Sequence, residues 1–248
     1  MLGEIAGAGT RQSISKKGMR GSAVVFPRRF GYTGLIPTRR HHMKPIDMNT
    51  WSRKPMFDHY STMNHPFFSV TFRFDVTPLY RYTKANGLSF YHAFVWLCAR
   101  AVNELPEFRL ALRGGKLYEL PERLPAFTDM PPESDAFHVV TLPAGADCAD
   151  FCRRAKVFNA EQEFFIDTSI PADAVTHCSC LPWVDMTGLS SARHLDREDT
   201  APWITWGKFV TEDDRKIVGL CLELNHRVND GFHVGLFQRK LTELMETL

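Results

Sequence analysis

Ile217-Val218-Gly219-Leu220-Cys221-Leu222-Glu223-Leu224, then Asn225-His226-Arg227-Val228-Asn229-Asp230-Gly231, then Val234, Phe237, Leu241, Leu244 and Leu248: this carboxyl-terminal stretch decides the local plan. Its first part is apolar at nearly every position, the pattern of a strand covered on both faces. In its last part the apolar residues recur at steps of three and four, the period of a helix with one buried face. A short connection joins the two, giving strand, tight loop, helix.

Working outward, residues 205–210 read as a neighbouring strand, linked to the first through the acidic turn Glu212-Asp213-Asp214. Residues 67–76 alternate strictly, with Phe68, Val70, Phe72, Phe74 and Val76 on one face and Ser69, Thr71, Arg73 and Asp75 on the other, as a half-buried strand requires. After Asn86-Gly87, Ser89 stands at an N-cap position, and Phe90, Ala93, Phe94, Leu97 and Ala101 define a core-facing helix running to about Glu104. Residues 108–112, 117–120 and 137–142 are short strand-like pieces broken by Gly114-Gly115 and by prolines, so hairpins and loops are expected there. A second helix is expected over residues 146–165, and another strand around residues 176–181.

With 248 residues, of which 44% are hydrophobic, the chain has material for one full core. No apolar run approaches the roughly 20 residues that cross a bilayer. The net charge of +2 conceals an asymmetry, because residues 1–42 carry eight Lys or Arg against the single acid Glu4, which leaves residues 43–248 at −5. That balance gives the folded part no broad basic surface, so neither nucleic acid nor membrane is an expected partner. Met43 opens the first segment that reads as a domain; residues 1–42 are expected to be a basic, disordered extension and residues 43–248 the catalytic domain. The six cysteines, scattered over segments of different type, are expected as reduced thiols in a cytoplasmic protein. His177-Cys178 with Cys180 lacks a second ligand pair at zinc-like spacing, so no metal is expected.

A histidine at the exit of a buried strand, with Asp230-Gly231 four residues on at a helix start, places an imidazole on a short, rigid connection. A general base needs that fixity, because it must stay within hydrogen-bond reach of the proton it takes. The same spacing also describes an ordinary edge histidine followed by an N-cap aspartate and a turn glycine, and spacing alone leaves both readings open.

Residues 225–235, Asn-His-Arg-Val-Asn-Asp-Gly-Phe-His-Val-Gly, resemble the active-site signature His-x-x-x-Asp-Gly-Phe-His of the chloramphenicol acetyltransferases. Further blocks similar to that family follow in its order: Trp51-Ser52-Arg53-Lys54 with Phe57 and Tyr60, Pro106-Glu107-Phe108-Arg109, Phe127-Thr128 with Phe137, Leu181-Pro182-Trp183-Val184, and Ala201-Pro202-Trp203-Ile204-Thr205 with Lys208. The resemblance implies an α/β fold, a mixed sheet flanked by helices of the CoA-dependent acyltransferase kind, assembled as a homotrimer with active sites between subunits. It implies acetyl transfer from acetyl-CoA, as co-substrate, to a hydroxyl of a small-molecule acceptor, with His226 as general base. By the same resemblance Asp230 pairs with Arg53 and braces the loop, Thr205 helps to bind the tetrahedral intermediate, Lys208 serves CoA phosphate, and Tyr60 and Phe137 belong to the acceptor pocket. Either aromatic could instead be core, and for Phe137 taken alone core is the favoured reading.

Three positions depart from the family pattern. Gly188 stands where the family has the serine that bonds the developing oxyanion, with Thr187 and Ser190 near enough to replace it. Asn225 and Asn229 replace a usual histidine and cysteine. Loss of the serine leaves open a trimeric relative that binds ligand or acts as a scaffold without catalysis. The string His-Arg-Val-x-Asp-Gly also resembles the dihydrolipoamide acyltransferases, whose lipoyl and subunit-binding segments have no counterpart here.

Overall fold

A computed structural model describes residues 43–131 and 133–248; the extension expected over residues 1–42 lies outside the described residues. In chain order the elements are β1 (Lys44–Pro45), α1 (Lys54–Ser61), β2 (Phe67–Asp75), α2 (Thr77–Asn86), α3 (Phe90–Glu104), β3 (Leu110–Arg113), β4 (Lys116–Glu119), β5 (Leu124–Asp129), β6 (His138–Thr141), α4 (Cys148–Glu161), β7 (Val175–Leu181), β8 (Trp203–Gly207), β9 (Val210–Glu212), β10 (Arg215–Asn225) and α5 (Gly231–Glu246). The main sheet runs β2-β10-β8-β7-β5-β6, with β9 hairpinned onto β10; β1, β4 and β3 form a small separate sheet. Pairing is antiparallel except for β5 with β7 and β7 with β8, so the sheet is mixed, as expected.

Strand parity divides the two faces. Val218, Leu220, Leu222 and Leu224 of β10 join Phe74, Ile204, Trp206 and Cys178 on the face that receives Leu79 of α2, most of α3, Phe151 of α4 and Phe237 and Leu241 of α5. The opposite face is polar: the register sets Ser69, Glu223, Trp203 and His177 in one row and Thr71, Cys221, Thr205 and Ser179 in the next. Residues 184–191 lie across part of this face. That cover explains why β10 is buried at nearly every position even though the helices gather on one side only.

The helix from Ser89 starts as anticipated, the Ser89 hydroxyl accepting from His92 N at 3.3 Å. The structure adds one helix that the sequence reading did not assign and corrects two expectations. Residues 77–86 form α2, opened by Pro78 in its first turn and closed by Gly87 at φ 62°, a left-handed cap that glycine adopts freely. Its only buried side chains are Thr77, Leu79 and Thr83, too few to write a helical stripe in the sequence. The proline-broken region contains an inner strand, β5, tolerated because β6 pairing begins at Ala126, after Pro125. The strand expected over residues 205–210 is two strands, β8 and β9.

Candidate active site

His226 sits at the end of β10, its backbone N–H donating to Pro66 O at 2.7 Å. The imidazole is stacked on Tyr60, with ring centroids 3.9 Å apart and planes 9° from parallel, and leans on Phe68 at 4.5 Å. Aromatic packing therefore fixes the ring plane, the feature a positioned base needs. Nδ1 is buried without a hydrogen-bond partner among the described residues, while the residue as a whole is half-buried.

One face of α1 holds this imidazole in place. Arg53, Phe57 and Ser61 recur every four residues and so lie on one helical stripe. Arg53 Nη2 donates to Asp230 Oδ2 at 2.8 Å, Phe57 packs with Val228 and Leu110, and Ser61 Oγ accepts from Arg227 Nε at 2.9 Å, the Arg227 guanidinium lying 4.8 Å from the Phe57 ring. Tyr60 extends from the same helix onto the histidine. Thus the loop that follows His226 is fastened to α1 at Arg227, Val228 and Asp230.

Asp230 is the N-cap of α5: its carboxylate accepts from Phe232 N at 2.9 Å, and its own N–H donates to His233 Nδ1 at 3.1 Å. Burial favours the neutral acid, but the hydrogen bond and charge of Arg53, followed by His233, outweigh it and hold Asp230 at about 2. Burial, reinforced by the Arg53 charge, lowers the His233 pKa. Sequence spacing gave His233 no role; its capping bond appears only in three dimensions.

A carboxylate whose folded pKa lies below its ordinary value of ~3.9 adds stability above that value and loses it as pH falls toward the folded pKa. Arg53→Met should accordingly destabilise the protein at pH 7 by on the order of 2 kcal/mol, since it strands a half-buried carboxylate. In urea titrations the gap from wild type should stay constant above about pH 4 and close between pH 4 and 2. A gap that does not change over that window would detach Arg53 from Asp230.

The remaining candidates lie elsewhere. Thr205 is buried on β8 and pairs with Cys221, five residues before His226, which puts it about 16 Å along the strand from the histidine. Lys208 follows the same strand, its N–H bound to Val184 O at 2.7 Å. With Phe137, Trp183, Ser179 and His92 it lines a cavity of about 780 Å³ at the carboxyl ends of β5, β7 and β8. Phe137 is not core: it is 51% exposed and rests on Phe165. Thr187 is exposed on the loop that crosses β10, beside a smaller cavity of about 190 Å³ shared with Arg73 and Glu212. Within one chain the candidates therefore fall apart: His226, Tyr60, Asp230 and Arg53 gather at the end of β10, Lys208 and Phe137 line the larger cavity, and Thr205 lies on β8 outside that lining.

The two departing asparagines have structural work. Asn225 Nδ2 donates to Asp199 O at 2.9 Å and to Arg197 O at 3.2 Å, while its Oδ1 accepts from Arg227 N at 3.0 Å; Asn229 Nδ2 reaches Glu107 O at 3.3 Å. Both tie the histidine loop to neighbouring segments.

The chloramphenicol acetyltransferase family matches residues 42–242. The chain is 31% identical over 206 residues to the chloramphenicol acetyltransferase of Staphylococcus aureus, covering 81% of this chain and 94% of the relative. It is 32% identical over 209 residues to that of Streptomyces acrimycini, covering 82% and 93%. A solved chloramphenicol acetyltransferase shares the fold at a TM-score of 0.74 and 22% identity, over 82% of this chain and 99% of that one. A probable dihydrolipoamide acetyltransferase from Listeria monocytogenes does so at 0.52 and 18%, over 82% and 93%. The chain belongs to the chloramphenicol acetyltransferase family. It is an acetyltransferase.

Proposed function

We propose that the protein transfers the acetyl group of acetyl-CoA to a hydroxyl of chloramphenicol or a similar small molecule, as an antibiotic-inactivating enzyme of the cytoplasm. His226 removes the hydroxyl proton as the oxygen attacks the thioester carbonyl. The tetrahedral intermediate then expels the thiolate, which takes that proton from the imidazolium. Both substrates are present together and no acyl-enzyme forms, so much of the rate comes from positioning. The observation that carries this reading is an imidazole stacked on Tyr60 and packed against Phe68 at the end of the buried strand β10.

The cavity of about 780 Å³ suits the long arm of acetyl-CoA, with Lys208 on its wall. Groups about 16 Å apart along one sheet cannot act on one carbonyl carbon. A homotrimer that sets His226 of one chain against the cavity of its neighbour resolves that separation. There Tyr60, Phe137 and Thr187 contact substrate, Thr205 serves the intermediate, and Asp230 with Arg53 braces the base.

The test is release of CoA thiol from acetyl-CoA in the presence of chloramphenicol and a panel of small alcohols. Turnover above a His226→Ala control supports the proposal; none with any acceptor refutes it. Gly188, which brings no hydroxyl to the loop, favours a second reading, a binding protein without turnover. Calorimetry that detects CoA or chloramphenicol binding by a protein inert in the thiol assay would support that alternative.

A further inference from the structure

The segment from Val184 to Ser191 runs along the polar face of β8 and β10 and is fastened there at Val184, Met186, Leu189 and Ser191. Val184 O accepts from Lys208 N at 2.7 Å. Next, Met186 lies directly over Gly207 and Gly219: a Cβ on Gly219 would fall 1.9 Å from Met186 O, and one on Gly207 would fall 2.7 Å from Val184 O. Two glycines on adjacent strands thus form a seat that no side chain could share. Leu189 O then rests 3.8 Å from the Cys221 thiol. Finally, Glu223 accepts from Ser191 N at 3.0 and 3.1 Å, from Ser191 Oγ, and from Ser69 Oγ at 3.3 Å.

Positions 219, 221 and 223 share one face of the strand that ends at His226. Between the fastened residues, Asp185, Thr187, Gly188 and Ser190 are exposed, and Thr187 and Gly188 are the pair between Met186 and Leu189. Glu223 is 6% exposed and has no salt bridge among the described residues. A carboxylate this buried, neutralised only by serine donors, is an expensive way to hold a loop unless its placement matters.

We infer that Glu223 is a positioning residue for acetyl transfer: it fixes residues 187–188 in register with the strand that delivers His226. The inference rests on the reading of these residues as the loop that faces the developing oxyanion. It does not make Glu223 catalytic, since its carboxylate is spent on Ser69 and Ser191.

The test is steady-state kinetics of thiol release, with amide hydrogen exchange over residues 184–191. Glu223→Ala should lower kcat by at least about ten-fold, as expected when reacting groups lose their placement, with the KM for acetyl-CoA within about two-fold. The Ser191 and Gly188 amides should exchange faster while those of β10 do not. Glu223→Gln, which keeps one acceptor oxygen, should recover most of the lost rate. If Glu223→Ala does not fold, Ser191→Ala tests the same clamp from the loop side and should lower kcat by about three-fold or more. Wild-type kcat in the foldable variant, or a fall in thermal stability with unchanged kcat per folded chain, overturns the inference. Absence of turnover in the wild type would instead overturn the proposed function.

Discussion

Replacing His226 with alanine is expected to reduce kcat by roughly 10²–10⁴-fold, the range a positioned general base contributes, while leaving the KM for acetyl-CoA nearly unchanged. The ring touches Tyr60 and Phe68 at the end of β10, and the donor cavity has its own, separate lining, so donor binding has no reason to depend on it. Stability should fall only modestly, because the residue is half-buried and no hydrogen bond to its Nδ1 is lost. Steady-state kinetics at saturating chloramphenicol, with a thermal melt of the variant, separate the two effects. A parallel rise in the acetyl-CoA KM would argue that the ring binds donor instead of moving a proton.

Gly188→Ser is expected to increase kcat by at least about ten-fold, given that one oxyanion donor is worth on the order of 10²–10³ in rate. The position can take the side chain: a Cβ there meets nothing within 4 Å, and the backbone is not in the left-handed region. The loop is fastened at Met186 and Leu189 on either side, so a hydroxyl introduced between them is presented on a fixed backbone. The check is kcat for acetylation measured beside Thr187→Val. An unchanged kcat in Gly188→Ser together with a large loss in Thr187→Val would place the donor on Thr187 and refute the need for a hydroxyl at position 188.

The chain's own pattern was most legible where local period and burial agree. The run from Ile217 to Leu224 reads as doubly covered because it is, by the helices on one face and by residues 184–191 on the other. The helix after Ser89 reads correctly because cap and stripe coincide. By contrast α2 buries only three side chains, and β5 contains a proline whose tolerance depends on where its neighbour begins to pair. The Arg53–Asp230 pair spans 177 residues, so nothing local could join its members; only resemblance proposed it. The seat at Gly207 and Gly219 was invisible for the same reason: each is a strand residue until a remote loop is laid upon it. Spacing could not reveal either that Thr205 and His226 lie far apart along one sheet, because that depends on strand register.

That separation yields the most direct test of a site shared between chains. His226→Ala chains, which keep the cavity, can be co-assembled by mixed refolding with Ser179→Trp chains, which keep the histidine but fill the cavity. Each parent alone should be nearly inactive in acetylating chloramphenicol. The mixture should recover activity well above the sum of the two, since a His226 of the second chain meets an open cavity of the first. Mixed assemblies no more active than their parents would contradict the claim that base and donor cavity come from different subunits.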